Sequence, residues 1–300
     1  MRVLACLPLI LLSAVTMAEP LEVFVSVAPL KTFVEQIGGD HVAVRTMVQA
    51  GYSPATYDPS PQQIAALSNA SVYVRTGVPF ELAWMARIRA ANPDMRILDA
   101  RVGIDLLSLP RHSHGATVHD RTAQDREHAH GAGVHAEDAH DPHVWTSPPL
   151  VKHMAGNIHD LLAELDPAHA PEFARNRDAF LEVLDELDRT IRERLEPLSN
   201  RRFMVFHPAW SYFAATYGLT QVPIEGEGKE PGARTLATLI EQARREAIRV
   251  VFVQPQFDER LAAQVARAID GRILVADPLA GDYVDNLRRV AQQFAEAMQS

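Results

Sequence analysis

The chain has 300 residues, 47% of them apolar and 22% charged, with a formal charge of −9 from 29 basic and 38 acidic side chains. That composition is globular and excludes global disorder and collagen-like repeats. The acidic balance argues against nucleic acid or an anionic membrane surface as partner.

Arg2, the apolar run 3–12 and the small residues Thr16 and Ala18 form the pattern of a secretory signal peptide over 1–18, with cleavage expected after Ala18. The apolar run is too short to span a bilayer, and no later segment approaches eighteen consecutive apolar residues, so a soluble exported protein is expected. The single cysteine, Cys6, lies in that leader. The mature chain therefore has no disulfide, thiolate metal site or cysteine nucleophile, and it fits a Gram-negative periplasm. Any metal it holds must be bound by nitrogen and oxygen.

Beyond the leader, LEVFVSVAPL (21–30) reads as a buried strand, followed by a short helix that stops at Gly38 and Gly39. A strand over 42–49 leads into the proline-rich loop 51–61. A helix (62–69), strand (71–77), helix (80–92) and strand (95–100) follow. Residues 104–140 interrupt with polar, low-complexity sequence. DPHVWTSP (141–148) opens a helix to about Leu165, and a longer helix ends near Leu195. In the latter, Phe173, Phe180, Leu184, Leu187, Ile191 and Leu195 fall on one stripe. Strand–helix alternation then restarts: strands over 202–207, 219–225, 249–255 and 272–278, with helices over 209–217, 233–247, 259–269 and from Tyr283. The expected fold class is α/β, two parallel-sheet lobes bridged by one long helix. The divisions are a signal peptide (1–18), an N-terminal lobe (19–165) carrying the insertion 104–140, a linking helix (166–199) and a C-terminal lobe (200–300).

Histidine is the anomaly. Of thirteen, seven lie between His112 and His140. Imidazole suits borderline ions such as zinc, but no rigid frame is evident there, so a low-specificity metal collector is expected. Three further positions lie at or beside the carboxyl ends of strands, where α/β folds place their sites. These are His143 after Asp141 and Pro142, His207 ending the strand RFMVF, and Asp277 ending RILVA. Two imidazoles and a carboxylate suit zinc, and manganese less well. A zinc hydrolase would need a general base paired with the ligands, and no HExxH or comparable pairing is present.

The stretches YSPATYDPSP (52–61), DPHVWTSP (141–148), FHPAWSYFAATYGL (206–219), EGKEPGARTLATLIEQ (227–242), VVFVQPQF (250–257) and VADPLAGDYVDNL (275–287) together resemble the zinc and manganese group of metal-binding solute receptors of ABC importers. The resemblance covers essentially the whole mature chain, and the His-rich insertion is similar to that of the zinc subgroup. It implies two α/β lobes joined by a long helix and a periplasmic, monomeric, non-enzymatic receptor. The cargo would be Zn²⁺ rather than Mn²⁺, passed to a membrane permease; a metal buffer or adhesion protein is the alternative. The ligands it implies are His143, His207 and Asp277. Two positions depart from the family. Ala55 follows Pro54 where a histidine usually stands, and Gln254 replaces a frequent glutamate. Water, Tyr57, Asp58 or a histidine of the insertion could take the fourth position. His140 is disfavoured because an i,i+3 pairing with His143 requires a helix that Pro142 opposes.

Overall fold

A computed structural model describes residues 19–108, 140–226 and 229–298. The expected leader 1–18 and all of the His-rich segment except His140 lie outside the described residues. The first half comprises β1 (Leu21–Val25), α1 (Ala28–Gly38), β2 (Val42–Thr46), α2 (Pro61–Ala66), β3 (Val72–Arg75), α3 (Pro79–Ala91), β4 (Arg96–Asp99) and α4 (Pro148–Leu165). Then come α5 (Ala170–Leu195), β5 (Arg202–Val205), α6 (Ser211–Tyr217), β6 (Thr220–Pro223), α7 (Ala233–Arg245), β7 (Val250–Val253), α8 (Glu259–Ala268), β8 (Arg272–Val275) and α9 (Tyr283–Met298).

The strands form two four-stranded sheets, both parallel throughout, ordered β2-β1-β3-β4 and β6-β5-β7-β8. The order is the same in both. Each sheet reverses direction of growth beside its first strand, and that is where crevices open at the carboxyl ends of strands in α/β folds.

The strands are shorter than the sequence suggests. The expected strand 21–30 ends at Val25, because Pro29 already stands in the first turn of α1, where its fixed φ and missing N–H are tolerated. Likewise β5 ends at Val205 and β8 at Val275, so that His207 and Asp277 stand beyond the strands rather than on them. The loop before α2 closes on a capping box. The Ser60 hydroxyl accepts from the Gln63 N–H, and the Gln63 side chain accepts from the Ser60 N–H.

Helix α5 is 26 residues long, about 39 Å at 1.5 Å per residue. All six residues of the stripe read from sequence are buried. The helix packs chiefly against α4, α9 and α1. Phe203 and Phe252 of the second sheet, with Phe294 of α9, belong to the same apolar cluster as Val23, Phe33 and Phe173 of the first half. Phe252 stacks on Phe294 at 4.1 Å between ring centroids. The two-residue period of β5 divides its side chains. Phe203 and Val205 enter this shared core, while Met204, and Phe206 just beyond the strand, face a second cluster with Val265 of α8 and Leu239 of α7.

Leu187 is fully buried at the centre of the α5 stripe. Leu187→Ala should cost about 2–5 kcal/mol of stability from lost burial and the residual cavity. Urea unfolding of the metal-free protein measures it, with the midpoint falling and the slope unchanged.

Candidate functional site

A cavity of about 550 Å³ opens where the carboxyl ends of the two sheets face each other. Its wall includes Ala55 beyond β2, Gly77 beyond β3, and His207, Glu225, Gln254 and Phe257 from the second sheet. His140 and His143 enter from the segment before α4.

His143 and His207 are brought together, with ring centroids 5.4 Å apart and planes inclined at 75°. Metal–nitrogen bonds of about 2.0–2.1 Å in tetrahedral geometry hold two such centroids roughly 5 Å apart. The rings are therefore spaced to share one ion without moving far. Each is fixed by a buried carboxylate behind it. His143 Nδ1 lies 2.7 Å from Asp141 Oδ1, which also accepts the His143 backbone N–H at 2.9 Å. His207 Nδ1 lies 3.1 Å from Glu225 Oε1. When Nδ1–H donates to a carboxylate, the lone pair of the neutral imidazole is on Nε2. Burial pushes the Asp141 carboxyl up, but the His143 charge and hydrogen bonds from His143 and Ser211 hold it net below the usual range.

The local chain has few other choices. Around His143, Pro142 and a single 3₁₀ turn (Val144–Thr146) replace the helix that an i,i+3 pairing would require. This turn is tied across to the second half of the chain. Tyr212 donates to the Asp141 carbonyl at 2.9 Å, Tyr283 donates to the Trp145 carbonyl at 2.9 Å, and the buried Trp145 indole donates to the Pro278 carbonyl at 2.7 Å. At His207, Gln254 acts from both ends of its amide. It donates to the His207 carbonyl at 2.8 Å and accepts the His207 N–H at 3.4 Å. A glutamate there, ionised, could not donate. The glutamine departure is thus a backbone clamp, and Phe257 stacks on the imidazole at 5.2 Å.

Asp277 stands apart from the two histidines. It lines an adjoining hollow that shares only Gln256 and Leu279 with the main cavity. Its Oδ1 accepts from Gln256 Nε2 at 3.1 Å and from the Leu279 N–H at 2.9 Å. Among the described residues, one donor atom from each of His143, His207 and Asp277 does not fall within 4.8 Å of the others.

In the proline-rich loop, two of the alternatives for the fourth position are engaged elsewhere. Asp58 accepts the Trp84 indole N–H at 3.1 Å, and Tyr57 is buried, packing edge-on against Phe80 and donating to Gln63 at 2.9 Å. Neither lines the cavity, so neither is placed to complete a ligand set. Ala55 does line it, and so does His140, which the helical argument disfavoured. The cavity wall needs no helix there, because an antiparallel bridge from Ser108 to His140 sets the position instead.

Two features invisible to sequence reasoning complete the site. Glu225 had no local signal, its partner being 18 residues earlier. Gly77 adopts φ +73°, and a Cβ there would run into the Arg101 guanidinium. Its N–H donates to the buried Glu81 at 2.7 Å, and Ser26 and Tyr73 donate to the other oxygen of that carboxylate. Burial raises the Glu81 pKa, opposed by these hydrogen bonds and by Arg75. Asp99 holds Arg101 over the turn through Nε at 2.9 Å and Nη2 at 2.7 Å. Burial alone would raise the Asp99 pKa, but the Arg101 contacts, helped by Arg75, leave it lowered.

A carboxylate whose folded pKa is depressed adds stability above its unfolded pKa, about 3.9, and loses it as pH falls through the folded value. Asp99→Asn should therefore cost about 1–3 kcal/mol at pH 7. The cost should shrink progressively below about pH 4. Denaturant unfolding of both proteins across pH 3–7 checks the sign.

Comparison with known proteins places this geometry in context. The sequence profile described as "ZnuA: Zinc-uptake complex component A periplasmic" matches residues 23–297. The high-affinity zinc uptake system protein ZnuA of Bacillus subtilis is 30% identical over 277 residues, covering 90% of this chain and 82% of that protein. The zinc-binding lipoprotein AdcA of Streptococcus pneumoniae is 27% identical over 253 residues, covering 84% of this chain, which spans only 48% of that longer relative. A crystal structure of ZnuA superposes with a TM-score of 0.82 at 38% identity, covering 93% of this chain and 99% of the other. A ZnuA lacking residues 138–173 of its own sequence, with zinc bound, gives the same score and identity over 93% and 98%. With residues 23–297 matched, the chain belongs to the family of periplasmic component A of zinc-uptake complexes.

Proposed function

We propose that the protein is the periplasmic zinc receptor of an ABC importer, capturing Zn²⁺ in the cleft and delivering it to a membrane permease. The observation that carries this reading is the pair of imidazoles 5.4 Å apart, each backed by a buried carboxylate. A carboxylate behind a histidine raises its basicity and fixes the nitrogen that meets the metal. The zinc named for the relatives fits a donor set of nitrogen and oxygen. The ion is cargo and no reaction is assigned to it, so the reading is of a receptor and not of an enzyme. Export through the leader 1–18 is part of the proposal. No described helix is long and apolar enough to cross a membrane.

His143 and His207 are assigned as the principal ligands. Asp277 joins them by turning from Gln256 toward the cleft. Ala55 leaves the first loop without a donor, so water or His140 supplies what remains of the coordination shell.

Competitive zinc titration of the mature protein tests the assignment. One tight site is expected, and His143→Ala or His207→Ala should weaken it by about 100-fold or more, a loss of roughly 3 kcal/mol. Unchanged affinity in both variants would overturn the site. Ala55→His should tighten binding by restoring an imidazole to the loop. The supporting carboxylate gives a separate expectation: Glu225→Gln should retain the fold yet lose about 10–100-fold in zinc affinity. Circular dichroism and the same titration read the two effects apart.

A further inference from the structure

A second convergence of donors lies at the other end of the first sheet. His41 closes a 3₁₀ turn (Gly39–His41) between α1 and β2, at the amino end of the strand, whereas the cleft opens at the carboxyl ends. Gly39, at φ +54°, makes the bend, and Asn176 of α5 donates to the Ile37 carbonyl at 3.1 Å, fixing the turn against that helix. Across from it, Asp166 ends α4 and His169 opens α5. The His169 carbonyl accepts the Glu172 and Phe173 N–H groups at 2.9 and 3.1 Å.

These turns are more than 120 residues apart in sequence, yet their side chains meet. The His41 and His169 rings stack at 3.8 Å between centroids and 21° between planes, beside the buried Phe173. His169 Nδ1 lies 2.6 Å from Asp166 Oδ2, and His41 Nε2 lies 3.2 Å from Glu172 Oε2. One donor atom each from His41, Asp166 and His169 lies within 4.8 Å of the other two, the only such group of three among the described residues.

We propose that His41, Asp166 and His169, with Glu172 as fourth donor, form a second zinc site, independent of the cleft. Two imidazoles and two carboxylates are a nitrogen–oxygen set suited to this ion, and four donors satisfy its tetrahedral preference. Tetrahedral bonds of about 2.0–2.1 Å place ligand atoms about 3.3 Å apart. The donors of His41, Asp166 and His169, within 4.8 Å of one another, therefore have at most about 1.5 Å to close. Glu172, 3.2 Å from His41 but outside that group of three, must swing further in. Each of these imidazole nitrogens already faces a carboxylate oxygen, so the ion would enter between paired donors. The rings must also open from 3.8 Å toward the roughly 5 Å that a shared ion imposes. That rearrangement makes the site weaker than the cleft, to be filled only when zinc is in excess. Once filled, the ion cross-links the α1–β2 turn to the α4–α5 turn.

Crystals of the mature protein soaked in zinc at pH 7.5, with anomalous differences recorded at the zinc edge, test the site. A peak within bonding distance of His41 and His169 is expected. The double variant His41→Gln, His169→Gln should lose that peak and keep the one in the cleft. In solution, the imidazole NMR signals of His41 and His169 should move only after the first equivalent of zinc, whatever the insertion takes up. Density in the cleft with none beside His41 would overturn the proposal, as would a peak that survives the double variant or ring signals that stay fixed at saturating zinc.

Discussion

A neutral imidazole has one lone pair to give, and the group that holds its other nitrogen decides where that lone pair points. Much of the cleft is arranged around this constraint. Asp141 and Glu225 are buried, and burial of a carboxylate is unfavourable unless its oxygens are engaged. Asp141 meets the condition at one oxygen, Oδ1, which grips His143 twice, at the ring and at the backbone. Gln254 immobilises the peptide groups at His207, so that the Glu225 contact orients a ring whose base is already fixed.

The same economy governs the frame. The turn bearing His143 precedes α4 in sequence, yet three of its fastenings, Tyr212, Pro278 and Tyr283, come from the second half of the chain. The shared apolar cluster through α5 and α9 joins the halves below the cleft. The repeated strand order then aims the carboxyl ends of both sheets at one space. Loops can vary there without disturbing either ladder.

Period and spacing made the frame legible. The α5 stripe was readable because a buried helix face repeats near 3.6 residues, and every residue of that stripe is buried. His143 and His207 were visible because each lies at or beside the carboxyl end of a strand in a stretch that resembles the metal-receptor family, a weak signal without that resemblance. Glu225 and Gln254 were not, since their partners lie 18 and 47 residues away and only the fold joins them. Asp58 and Tyr57 looked available in the loop because nothing nearby in sequence shows Trp84 or Gln63 claiming them. Helical geometry argues against His140, but a β-bridge, which a local pattern cannot disclose, positions it. His41 and His169 carried no motif at all.

The placement of α9 bears on how the chain acquires its structure. Phe294 lies between Phe203, Phe213 and Phe252, in a cluster that extends to Val23 in the first strand. The part of α5 that packs on α9 therefore stays uncovered until residues near 294 arrive, well after the first sheet has been synthesised. Contacts of such long sequence separation fold slowly and expose sticky intermediates in the meantime. An early N-terminal half would keep this patch open, and closure of the shared core would come with the docking of α9. Shortening that helix should thus harm the yield of folded protein more than its distance from the cleft suggests.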